Sequence, residues 1–151
     1  MRKAVNEAVK VFCKDILGLE VENAKTVGND FYAASIPIYE NENEQNWFLF
    51  FKKPTLKKVA QILLFEDNLS EDEFNDLLKE ISNQIIGMAK VKLEEKNQNI
   101  TYRLGTPEFL GNISAPIPIK LESNLLYKIE NRTFLVAMEA QDYNTKKSRI
   151  K

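Results

Sequence analysis

Residues 70–95 read SEDEFNDLLKEISNQIIGMAKVKLEE, and the reading of this stretch decides the fold. Ser70-x-x-Glu73 is a capping box, in which the serine hydroxyl and the glutamate carboxylate satisfy backbone N–H groups that the first helical turn leaves unpaired. Successive helical residues advance by about 100°, so Phe74, Leu77, Leu78, Ile81, Ile85 and Met88 fall on one side and form a predicted core stripe running to about Glu95. On the opposite side Asp76, Glu80, Asn83 and Gly87 recur at steps of four, three and four, within a stripe roughly 60° wide. Two carboxylates and a carboxamide are thus stacked on one ridge. Gly87 is out of place for a helix interior, where glycine costs about 1 kcal/mol against alanine; close approach of another surface is a reason to keep it.

Working outward, Arg2–Leu17 is a predicted amphipathic helix with Val5, Ala8, Val9, Phe12, Cys13 and Ile16 on one face and Gly18 as its stop signal. Strand-like runs follow at Val21–Val27 and Phe31–Tyr39, with Pro37 predicting a sheet edge or a bulge in the second. Glu40–Asn46 reads as an extended hairpin turn leading into the aromatic strand Trp47–Phe51. Pro54 opens a helix whose buried stripe is Leu56, Val59, Ala60, Leu63 and Leu64. Beyond the capped helix, strands are predicted at Ile100–Leu104, Ile113–Leu121, Leu125–Glu130 and Thr133–Ala140, with a tight turn through Glu130–Thr133. The order is helix, three strands, two helices, four strands. It predicts an α/β (α+β) sandwich, one mainly antiparallel sheet under a layer of long helices. The two strand-rich halves suggest a weak repeat without a sequence repeat to match. Residues 1–141 are expected to form one domain, followed by a short basic tail, 142–151, with Lys146, Lys147, Arg149 and Lys151.

Composition narrows the chemistry. There are 21 basic and 22 acidic side chains, a net charge of −1, so no field favours nucleic acid or a membrane surface. No apolar run approaches the ~18 residues of a membrane span, and charges interrupt the first segment where a secretory signal needs an apolar core. Cys13 is the lone cysteine, which fits a reducing cytoplasm and reads as buried packing. The chain has no histidine, which removes histidine general bases, Ser-His-Asp and Cys-His nucleophiles and His-metal sites. No glycine-rich phosphate loop is found among the five glycines. An enzyme built from these residues must use carboxylates, amides or a partner's chemistry.

The spacing Glu-x2-Asn occurs four times, at Glu20/Asn23, Glu40/Asn43, Glu80/Asn83 and Glu94/Asn97. The third alone lies mid-helix and has an Asp four residues before the Glu. Asp76-x3-Glu80-x2-Asn83, with Pro107 further on, resembles the signature of the CheC/CheX/FliY family of chemotaxis response-regulator phosphatases, and KEISNQIIGMAKVKL is similar to the family's long helix. The interval from Asn83 to Pro107 is 23 residues where the family has 22, and the early hairpin NENEQNWFLFFKK lacks the family's small residues. Gly105-Thr106-Pro107 equally ends the strand that begins near Ile100, and Pro107 is assigned no chemistry.

The resemblance implies a CheC-like sandwich and a phosphatase acting on the aspartyl phosphate of a CheY-like response regulator. It implies that Asn83 orients the attacking water and that Glu80 forms a salt bridge to the regulator's phosphate-site lysine. Asp76 supports the contact, and Gly87 lets the helix lie close to the partner. No cofactor of its own and no metal ligands are implied, the Mg²⁺ being the regulator's. A single motif is similar to CheX and implies a homodimer with one site per subunit. Two other readings stay open. One is a non-catalytic binding or scaffold module for a response regulator or the flagellar switch; the other is an unrelated small domain matching by chance.

Overall fold

The structure is a computed structural model that describes residues 1–26, 28, 30–113 and 120–140. Its elements are α1 (Arg2–Val11), which runs on through a wider π-helical turn at Phe12–Ile16; β1 (Glu22–Asn23), β2 (Phe31–Glu40) and β3 (Asn43–Phe51); α2 (Lys53–Leu64) and α3 (Glu71–Lys96); and β4 (Tyr102–Leu104), β5 (Glu108–Ile113), β6 (Leu121–Ile129) and β7 (Arg132–Glu139). The predicted order of elements is the observed one. The seven strands make one sheet in the order β1-β6-β7-β3-β2-β4, with β5 also on β2, and every pairing is antiparallel. Outward from the β7–β3 seam come β6 and β2, then β1 and β4/β5. This near-palindrome is where the weak repeat shows itself, in topology.

The helices pack on one face, burying Ala4, Val5, Ala8, Val9 and Phe12 of α1 and Leu56, Val59 and Ala60 of α2 against Ile36, Ile38, Trp47, Leu49 and Phe134 of the sheet. At its centre Phe51 stacks on Phe134 (4.6 Å between ring centroids) and Phe134 on Tyr127 (5.1 Å). A smaller buried cluster, Phe31, Ala33, Phe48, Phe50, Leu135 and Ala137, lies on the other face. With both faces buried, the central strands are apolar without alternation, which is why Trp47–Phe51 is one hydrophobic run. Among the described residues no helix is long and apolar enough to cross a membrane.

Several boundaries move. The β2–β3 hairpin is closed by Asn41-Glu42 alone, Asn41 taking the left-handed φ of 55° that asparagine tolerates. It is therefore tight, and the polar residues on either side belong to the strands. Pro37 is neither on an edge strand nor in a bulge. It sits where the neighbour of β2 changes from β5, on Phe31–Ser35, to β4, on Ile38–Glu40. Its missing N–H coincides with that gap, and its carbonyl accepts from Gly105 N at 2.8 Å. A Cβ on Gly105 would meet the Pro37 ring at 2.4 Å, so glycine is needed there. Gly105–Pro107 does end β4, as the plain reading had it. Strand β1 is short, Leu64 is exposed, and the fifth strand is Glu108–Ile113 rather than Ile113–Leu121, of which 114–119 lie outside the described residues. The expected tail, 142–151, lies outside them too. Glu130 and Asn131 close the β6–β7 hairpin with φ of 49° and 65°, the paired left-handed residues of a type I′ turn.

Cys13 is buried, and loss of solvation pushes its thiol up to about 12 from 9.0. A group raised on folding contributes stability that is complete below its unfolded value and is lost as pH rises towards the folded one. Burial raises the Tyr127 phenol as well. The native protein is therefore expected to resist thiol reagents at pH 8 and to lose stability progressively above about pH 9. Cys13→Ala should flatten part of that alkaline slope in denaturant titrations. Rapid labelling of the folded chain would contradict the buried thiol.

Candidate functional site

Helix α3 is held at both ends. Ser70 Oγ accepts from Glu73 N (3.2 Å) and Ser70 N donates to Glu73 Oε1 (3.0 Å), completing the predicted capping box. These bonds hold the Glu73 carboxyl below the usual carboxylate range. Tyr32 of β2 donates to Glu71 Oε1 at 2.5 Å and stacks on Phe74; the bond to Glu71, then burial, raises its phenol. At the far end Asn97 N donates to Leu93 O (2.9 Å) and Asn97 Nδ2 to Tyr102 Oη (3.2 Å). A side chain in the middle of such a helix is placed by a rigid support.

The buried side of α3 is Phe74, Leu77, Leu78, Ile81, Ser82, Ile85, Ile86, Ala89 and Leu93. Met88, expected in that stripe, is half-buried, and Ile86, Ala89 and Leu93 extend the stripe because both the sheet and α1 pack against the helix. Ser82 is tolerated inside because its hydroxyl donates to Leu78 O at 2.8 Å.

Asp76 and Glu80 are exposed, and Asn83 and Gly87 are half-buried. Among the described residues Asp76 pairs only with Lys79, at 4.0 Å with the Asp76 side chain 80% exposed, a contact of little weight. Glu80 makes no ion pair among the described residues; its Oε1 accepts from Gln84 Nε2 at 3.1 Å. The Asn83 carboxamide has no hydrogen-bond partner among the described residues. It lines an open groove of ≈ 440 Å³ with Gln84, Gly87, Met88 and Val91 of α3 and Val11 of α1. Both its amide groups are therefore available to a visitor. Gln84 and Val11 were not singled out from the sequence. Gln84 stands four residues after Glu80, a spacing that signals side-chain contact, whereas nothing local points to Val11.

A Cβ on Gly87 would meet only Leu104 Cδ2, at an ordinary 3.8 Å. Internal packing does not demand glycine here. Gly87→Ala is accordingly expected to stabilise the fold by roughly 0.5–1 kcal/mol, read as a higher denaturant midpoint. Destabilisation would mean that the groove floor cannot take a methyl group.

The other Glu-x2-Asn pairs fall elsewhere: Glu20/Asn23 at β1, Glu40/Asn43 across the hairpin, Glu94/Asn97 at the C-terminal end of α3. A second recess, ≈ 350 Å³, is lined by Glu20, Glu22, Glu130 and Lys128 and shares no residue with the ridge. Three of these charges are paired, Lys128 with Glu22 and Glu130 with Lys58, each at 3.7 Å. Among the described residues no three His, Cys, Asp or Glu side chains are grouped to hold a metal.

No family model matches the chain, and no curated protein matches it. Solved structures do. The chemotaxis protein CheX of Vibrio vulnificus superposes with a TM-score of 0.74 over 91% of this chain and 93% of its own, at 17% identity. CheX of Borrelia burgdorferi, solved as a CheX–CheY–BeF3–Mg complex, gives 0.62 over 93% and 97%, at 14% identity. FliY of Thermotoga maritima gives 0.55 over 96% and 88%, at 18% identity. With its palindromic antiparallel sheet and long capped helix, the chain has the fold of the CheC/CheX/FliY proteins.

Proposed function

We propose that this protein is a phosphatase that removes the phosphoryl group from the active-site aspartate of a CheY-like response regulator in chemotaxis signalling. The observation that carries the reading is the Asn83 carboxamide, without a hydrogen-bond partner among the described residues and lining an open groove one helical turn from the exposed Glu80 carboxylate. The Borrelia complex supports the choice of partner, since it joins a protein of this fold to a CheY bearing Mg²⁺ and a fluoride that imitates a phosphoryl group.

In this reading the water oxygen attacks phosphorus, the bond from phosphorus to the aspartyl oxygen breaks, and the water's proton ends on the phosphate. Phosphoryl transfer passes through a loose transition state, so positioning and charge stabilisation supply most of the rate. A carboxamide suits the task because it both donates and accepts without titrating. Glu80 holds the regulator's lysine, Asp76 adds charge one turn earlier, and Gly87 with the apolar floor of the groove lets the partner lie close. The Mg²⁺ is the substrate's, and this chain needs neither a metal nor a histidine. We also propose, by analogy with CheX, that residues 1–141 form one domain of a cytoplasmic homodimer; light scattering would test the dimer.

The test is direct. Added to a response regulator phosphorylated on its aspartate, the protein should speed release of inorganic phosphate well above the regulator's own rate. Binding without faster release would favour a non-catalytic module, and no binding would end the assignment.

A further inference from the structure

We infer that Gln84 is a positioning residue for Glu80 at the proposed site: its amide steers one carboxylate oxygen and leaves the negative charge intact for the partner's cation. This rests on the phosphatase reading and adds a residue to it. Gln84 Nε2 donates to Glu80 Oε1 at 3.1 Å, and Oε2 has no hydrogen-bond partner among the described residues. Gln84 itself is half-buried and lines the groove beside Asn83, whereas Glu80 is exposed.

The choice of an amide is informative because the chain uses cations elsewhere. At the same spacing on the same helix Lys90 pairs with Glu94 at 3.2 Å, and Lys92 pairs with Glu7 of α1 at 3.5 Å. A lysine at 84 would satisfy Glu80 internally and compete with the incoming cation. A neutral donor orients the carboxylate without competing. An exposed glutamate with free torsions must otherwise be ordered when the partner docks, at a cost to affinity.

The test uses a receiver domain of a CheY-like regulator loaded with beryllofluoride and Mg²⁺, so that binding is measured without turnover. Gln84→Leu should weaken binding by about three- to ten-fold, the range of one hydrogen bond, and Gln84→Lys by about ten-fold or more. Turnover at saturating phosphorylated regulator should stay within about two-fold for Gln84→Leu, because Asn83 is untouched. In a Glu80→Ala background Gln84→Leu should have no further effect, since a residue that acts through another is silent once that residue is gone. A Gln84→Leu variant that binds like the native protein, or that weakens binding equally in the Glu80→Ala background, overturns the positioning role and leaves the phosphatase reading standing. A Glu80→Ala change without effect on binding overturns the positioning role alone, and a native chain that does not bind the loaded domain overturns both.

Discussion

Asn83→Ala is expected to lower catalysed loss of the phosphoryl group by roughly 10²-fold or more while leaving affinity for the regulator within about two-fold. The magnitude follows from what the side chain does: misplacing a reacting atom by 1 Å costs about 10²-fold, and removing the amide leaves the water unplaced. The stability of the variant should be unchanged or slightly raised. The side chain has no internal partner among the described residues to lose, and alanine is the better helix former. Phosphate release at saturating regulator, beside a thermal melt, separates the two effects. Retention of the native rate by a folded variant would remove Asn83 from the mechanism.

Glu80→Lys should act on docking instead. Reversing the charge sets a cation against the lysine of the regulator, and breaking a close charge pair at an interface costs about 2–5 kcal/mol. The exposure of Glu80 argues for the lower end, a loss of roughly 30-fold in kcat/KM at low ionic strength. Added salt should narrow the gap between native and variant, because screening weakens repulsion as well as attraction. A deficit in kcat/KM that is independent of salt, or no deficit, would assign Glu80 a role other than pairing. Together the two substitutions divide the site into a part that holds the partner and a part that places the water.

What was legible in the chain was local. The capping box at Ser70 and Glu73, the stop at Gly18, the entry of α2 at Pro54 and the Glu130-Asn131 turn each depend on residues within a few positions of one another, and each is present. The ridge is legible for the same reason, since one helix carries it. The errors are non-local. Pro37 signals an edge or a bulge because its missing N–H is visible in sequence, while the gap between β4 and β5 that accommodates it is made by residues more than sixty positions away. The buried stripe of α3 proved wider than its own periodicity suggested because α1 packs against it.

Sequence by itself settled the order of elements, the exclusion of histidine chemistry and the placing of Asp76, Glu80, Asn83 and Gly87 on one face of a helix, because helical geometry is a property of neighbours in the chain. Tertiary structure alone decided that the Asn83 amide, without a hydrogen-bond partner among the described residues, lines a groove walled by Val11 of α1, and that a methyl group on Gly87 would make only ordinary contact, with Leu104. Whether a polar group is open or satisfied depends on which distant segments the hydrophobic core brings beside it, and that is settled only when the whole chain packs.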